Sequence, residues 1–160
     1  MLYRAHFFPL LLISIGCGGK DGDSASGSWG GDDPADCGGA PVDILPNVSV
    51  LCETGDCSLQ LIATDPAPPD RGDNTWTVQI LDAAGAAMPV SELEASPFMP
   101  AHDHGTSPAD FVGASIDQVT WDVGPFDLFM PGLWELRVAI QLDASADAER
   151  QVIIPFCVEG

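Results

Sequence analysis

The chain has 160 residues, 46% of them hydrophobic, and sets 24 acidic side chains against five lysines and arginines, for a formal net charge of −19. A surface of that sign repels nucleic acid and anionic lipid and attracts cations, which excludes a polyanion partner. It also serves solubility alone, and the calcium-loop pattern of alternating Asp/Asn, a Gly and a distal Glu is absent.

The first 17 residues run from Met1 and Arg4 through the apolar stretch Phe7-Phe8-Pro9-Leu10-Leu11-Leu12-Ile13 to Ser14-Ile15-Gly16-Cys17. The apolar run is too short for a permanent bilayer-spanning helix, and polar sequence follows it, so residues 1–17 read as an export signal. Ile15-Gly16-Cys17 resembles the bacterial lipobox, in which the cysteine is lipidated and becomes the first residue of the mature protein, although Ser14 stands where that pattern prefers Leu. An ordinary secretory signal cut elsewhere is the alternative. Both readings put the mature protein outside the cytoplasm, and the lipobox reading anchors it by lipid to a membrane of the bacterial cell envelope. His6 leaves with the signal, so the mature histidines are His102 and His104.

Residues 18–36 are rich in Gly, Ser and Asp and nearly free of aliphatic side chains, a composition that predicts a flexible tether. Trp29 is out of keeping with it, and nothing in the sequence explains that residue. Residues 37–160 are the size of one domain and hold ample apolar residues for a core.

Within that domain Cys37, Cys52, Cys57 and Cys157 form an even set once Cys17 is assigned to lipid, which in an exported chain implies two disulfides. Three pairings exist. The spacing Cys52-Glu53-Thr54-Gly55-Asp56-Cys57 suits a bridge across a strand-turn-strand hairpin, which leaves Cys37 with Cys157. A cysteine-based zinc site would need CxxC pairs that the chain lacks.

Short, β-rich segments of mostly period-two pattern follow at 48–52, 58–63, 74–81, 116–122, 133–142 and 149–156. Turn clusters separate them, among them Asp65 to Asp73 and Met130-Pro131-Gly132. Val90 to Ala95 reads as one helical turn at most. The pattern predicts an all-β domain, an immunoglobulin-like antiparallel β-sandwich of about seven strands. Trp76, Trp121 and Trp134 alternate with polar neighbours and are expected in its core.

The stretch Pro97-Phe98-Met99-Pro100-Ala101-His102-Asp103-His104-Gly105 carries the candidate chemistry. Imidazole and thioether bind soft and borderline transition metals, copper above all. If His102-Asp103-His104 is extended, its two imidazoles point to the same side and share one ion. Met130 is the best fourth donor by type; Met88 and Asp103 are weaker ones. Two His with one or two Met suit Cu(I). On the competing reading His102 and His104 hydrogen-bond within a surface loop, Met99 fills a gap at the edge of the core, and Met130 belongs to the core.

Phe129-Met130-Pro131-Gly132-Leu133-Trp134-Glu135-Leu136-Arg137-Val138, preceded by that Pro-Phe-Met-Pro-Ala-His-Asp-His-Gly loop, resembles the YtkA-like family of small exported or membrane-tethered β-sandwich domains. The likeness runs from about Ser58 to Phe156. It implies a link to copper handling or oxidase assembly and places the Met130 turn near the histidine loop.

Catalysis is not expected. No Ser sits in a Gly-x-Ser-x-Gly elbow, every cysteine is otherwise assigned, and no glycine loop is built for phosphate. Arg71-Gly72-Asp73 and Asn47-Val48-Ser49 match an integrin tripeptide and a glycosylation acceptor, patterns short enough to arise by chance. Three functions stay open: a copper-binding envelope lipoprotein, a structural or protein-binding lipoprotein without metal, and an accessory domain of a transporter or oxidase complex.

Overall fold

A computed structural model describes residues 37–41, 44, 46–143, 145 and 149–160. The signal over 1–17, the lipidation residue Cys17 and the tether over 18–36 lie outside the described residues. The strands are β1 (Ser49–Leu51), β2 (Cys57–Asp65), β3 (Gly72–Asp82), β4 (Glu92–Met99), β5 (His104–Gly105), β6 (Phe111–Val112), β7 (Ala114–Ser115), β8 (Thr120–Leu128), β9 (Gly132–Gln141) and β10 (Glu149–Val158). They form two antiparallel sheets. One has the order β1-β2-β3-β8-β7, the other β10-β9-β4-β5, with β6 also paired to β4.

Period-two patterning explains which side of each strand is buried. In β3, Asn74, Trp76, Val78 and Ile80 face inward while Thr75, Thr77 and Gln79 are half-exposed; in β9, Trp134, Leu136, Val138 and Ile140 are buried between Glu135, Arg137 and Ala139. The inward residues of both sheets belong to one core cluster. Each large apolar side chain fully buried there contributes about 1.5–3 kcal/mol. Trp76 and Trp134 are fully buried and Trp121 nearly so, with Trp76 packed against Phe126 and Phe156.

The buried polar Asn74 of β3 spends its side-chain hydrogen bonds on the connection that precedes the strand. Its Nδ2 donates to the carbonyls of Asp70 and Gly72, each at 2.7 Å, and its Oδ1 accepts from the Asp70 amide. This single side chain satisfies three backbone groups at the start of β3 and just before it.

Two expectations need correction. Residues 90–95 form no helical turn, because Leu93, Ala95 and Met99 alternate with Glu92, Glu94, Ser96 and Phe98 and place that segment in β4, paired to β9 along most of its length. The strand expected at 116–122 is displaced to Thr120–Leu128. Its continuation through Gly124-Pro125 is a bulge: both residues lie opposite Thr75, between the pairs Trp76↔Val123 and Asn74↔Phe126. A bulge accepts a proline that a regular ladder would reject, and Gly124 supplies the φ of 115°. The described residues form ten strands, three of them only two residues long.

Two disulfides close the domain. Cys52–Cys57 spans the β1–β2 turn, and Cys37–Cys157 ties the first described residue to β10 across 120 positions of sequence.

Candidate metal centre

β4 ends on Met99, the chain turns through Pro100 to Asp103, and β5 begins at His104. The amide of His102 donates to Met99 O at 3.2 Å, and Asp103 takes a left-handed φ of 53°. The histidine segment is therefore a turn and not the extended strand that would set both side chains on one side. A turn brings the two rings together by another route: their centroids lie 5.6 Å apart with planes inclined at 41°. His102 is exposed and His104 half-buried.

The return strand is held very close to β4. Phe98 pairs with Gly105 and Met99 with His104. A Cβ at position 105 would lie 2.5 Å from Pro97 O, so only glycine allows β5 to sit there. The register then fixes the histidine, since cross-strand partners share a face of the sheet.

His104 lies against the β8–β9 turn. Its ring stacks on Phe129 with centroids 5.5 Å apart and planes 17° from parallel, and Phe129 meets Trp134 edge-on at 5.9 Å. The Arg71 guanidinium donates to Phe129 O at 3.2 Å, and Trp134 Nε1 donates to Met130 O at 2.9 Å, so both ends of that turn are tied down. His104 Nδ1 is 3.3 Å from Gly105 O. When Nδ1 carries the proton it donates to this carbonyl, which leaves the Nε2 lone pair free for a cation.

The methionines divide. Met99 is 1% exposed, and its methyl lies 3.4 Å from where a Cβ on Gly132 would stand, so its thioether packs in the core against the start of β9. Met130 is half-buried, packs on the same core and follows Phe129 directly. Both stand at the histidine end of the domain. Met88 does not: its amide bonds Ile80 O beside the far end of β3, which removes it from any shared site. Asp103 is exposed in the turn itself.

Among the described residues no three His, Cys, Asp or Glu side chains converge as a ligand set. Among the described residues the two imidazoles therefore have no third His, Cys, Asp or Glu converging on them.

No family model matches this sequence, and comparison with curated proteins and with solved structures finds none similar to it.

The sequence does not single out Phe129, which stands there only as part of a strand motif. A Phe before Met-Pro-Gly gives no sign of a long-range ring contact, because its partner lies 25 positions away in a separate turn. On the outer face of the same sheet, Arg137 lies 3.8 Å over the Phe98 ring and pairs with Glu135 at 2.8 Å. Further along, Glu92, Glu94 and Glu149 rim an open depression of about 220 Å³ floored by Ala139 and Gln141.

Proposed function

We propose that the chain is a lipid-anchored protein of the bacterial cell envelope whose single domain, an immunoglobulin-like sandwich of YtkA-like kind, binds copper through His102 and His104. The strand orders support the immunoglobulin-like reading. With β2, β3, β4, β7, β8, β9 and β10 taken as strands A to G without further shuffling, one sheet runs A-B-E-D and the other G-F-C.

One observation carries the copper reading: the 5.6 Å separation of the His102 and His104 rings. Two imidazoles that share an ion at about 2 Å have ring centroids no further apart than roughly 6.3 Å. The pair fits, and the exposure of His102 gives an ion a way in. Met130, half-buried at the same end of the domain, would supply the thioether that favours Cu(I), with water completing a Cu(II) site, whereas the Met99 thioether is taken up by the core. Copper, when bound, would supply a soft Lewis-acidic centre there; the chain's own part is to hold two imidazoles 5.6 Å apart, centroid to centroid.

The burial of Met99 favours a second reading, a structural or protein-binding envelope domain, or an accessory domain of a transporter or oxidase complex, in which Met99 is core and the histidines are loop residues.

Titration of the protein with Cu(I) and Cu(II), beside the double variant His102→Ala/His104→Ala, separates the two. The copper reading expects one ion bound by the wild type and none by the variant. Equal uptake by both proteins, or uptake by neither, makes it wrong.

A further inference from the structure

The arginine that precedes β3 is not spent on a carboxylate. Arg137 pairs with Glu135 and Arg150 with Asp56, whereas among the described residues Arg71 forms no ion pair and its guanidinium donates to a neutral acceptor, Phe129 O, at 3.2 Å. In a chain with 24 acidic side chains, position decides that choice. Gly72 pairs with Leu128 and Asp73 with Asp127, so residue 71 emerges opposite residue 129.

The segment that delivers Arg71 is itself held. Fully buried Asn74 donates to the carbonyls of Asp70 and Gly72, on either side of Arg71, and the Arg71 amide donates to Asp70 Oδ1 at 2.7 Å. Gly72 turns the chain into β3 with a left-handed φ of 96°. A backbone fixed in this way leaves only the side chain of Arg71 to be ordered when it bonds Phe129 O.

We infer that Arg71 is a positioning residue for the His104 imidazole: through the Phe129 carbonyl it fixes the peptide that carries the ring on which His104 stacks. The inference rests, for its effect on a metal, on the copper reading proposed above. The next carbonyl of the turn, Met130 O, is held by Trp134 Nε1 at 2.9 Å, so two consecutive peptides are tied by separate side chains. The Phe129 ring is then confined between the edge of Trp134 and the face of His104. Arg71-Gly72-Asp73 thereby has a role inside the domain. Groups that orient a ligand from behind it tune metal affinity without touching the ion.

Charge gives the test its sign. An arginine that acted on a cation site by charge alone would weaken it, and its removal would tighten binding. Removal of a positioning residue weakens binding. Arg71→Met keeps an unbranched stem and removes donors and charge together, while Arg71→Lys keeps the charge and an ammonium donor. Arg71 is exposed, so both variants are expected to fold, with the ring resonances of buried Trp76 unchanged. In the metal-free wild type the carbon-bound ring protons of His104, over the Phe129 face, are expected upfield of those of exposed His102. Arg71→Met is expected to move them towards the His102 positions and to weaken copper uptake several-fold, and Arg71→Lys to restore part of both. Unchanged His104 resonances in Arg71→Met, or a copper affinity that holds or rises, overturn the inference. A wild type that takes up no copper defeats the copper reading instead, and the His104 ring shift then decides the inference alone.

Discussion

The His104 imidazole and the Phe129 ring lie nearly parallel, centroids 5.5 Å apart, and join a turn after β4 to a turn before β9. Phe129 is 41% exposed, so the contact belongs to the surface of the domain and not to its core. Phe129→Ala is expected to cost more than about 1 kcal/mol, since the worth of an aromatic pair adds to that of the apolar area the ring buries. It also frees the imidazole to rotate, and loss of a group that orients a ligand weakens metal affinity roughly tenfold or more. Urea unfolding and copper titration of the variant read the two effects separately. An unchanged copper affinity would show that Phe129 orients nothing.

The placement of β5 rests on Gly105. A methyl group there would lie 2.5 Å from Pro97 O, a backbone atom that has no flexible end to move aside. Gly105→Ala therefore pushes β5 off β4 and displaces His104. Because β5 makes only two cross-strand pairs, the stability cost is local, about 1–3 kcal/mol. Copper uptake is expected to fall by a larger factor than the stability change alone explains. Amide exchange at Gly105 and Thr106 checks the local opening, and protection equal to wild type would contradict it.

These two residues show how far the sequence could be read. The long strands announce themselves through alternation, as in Trp134-Glu135-Leu136-Arg137-Val138, because one face of each is dry. β4 is hidden, since Ala95, Ser96 and Pro97 give weak strand signals and its pairing with β9 decides the outcome. The histidines were legible as residue types and a spacing. Their arrangement was not, because it follows from the left-handed Asp103 and from the approach of β5 to Pro97, both tertiary facts. Met88 drops out for the same kind of reason: a donor type in the sequence says nothing about which end of a sheet it occupies.

The two disulfides differ in the length of chain they close, 120 positions for Cys37–Cys157 and five for Cys52–Cys57. On the chain-entropy treatment the long bridge stabilises by about 5 kcal/mol and the short one by about 2 kcal/mol. Replacing each pair by alanine and measuring urea midpoints is expected to give losses in that order. A larger loss for Cys52→Ala/Cys57→Ala would mean that the short bridge holds the β1–β2 turn by native contacts rather than by constraining the unfolded chain.

Asp56 lies inside that short loop, and Arg150 on β10 reaches across to it at 2.7 Å. Hydrogen bonds from the guanidinium, and then from the Thr54 hydroxyl, lower its carboxyl from the usual 3.8 to about 2. A carboxylate whose folded value lies below its unfolded value stabilises the fold above the unfolded value and loses that contribution as pH falls through the folded one. The contribution of Asp56 is thus fully present above about pH 5 and fades between about pH 4 and pH 2. Asp56→Asn keeps the size of the side chain and removes the charge. Its melting temperature is expected to lie below that of wild type at neutral pH, with the gap closing across that acid window. Arg150→Gln should show the same closing gap, since it removes the other half of the pair. A gap that stays constant from neutral pH to about pH 2 would assign the loss to packing and hydrogen-bond geometry instead of to the ionised carboxylate.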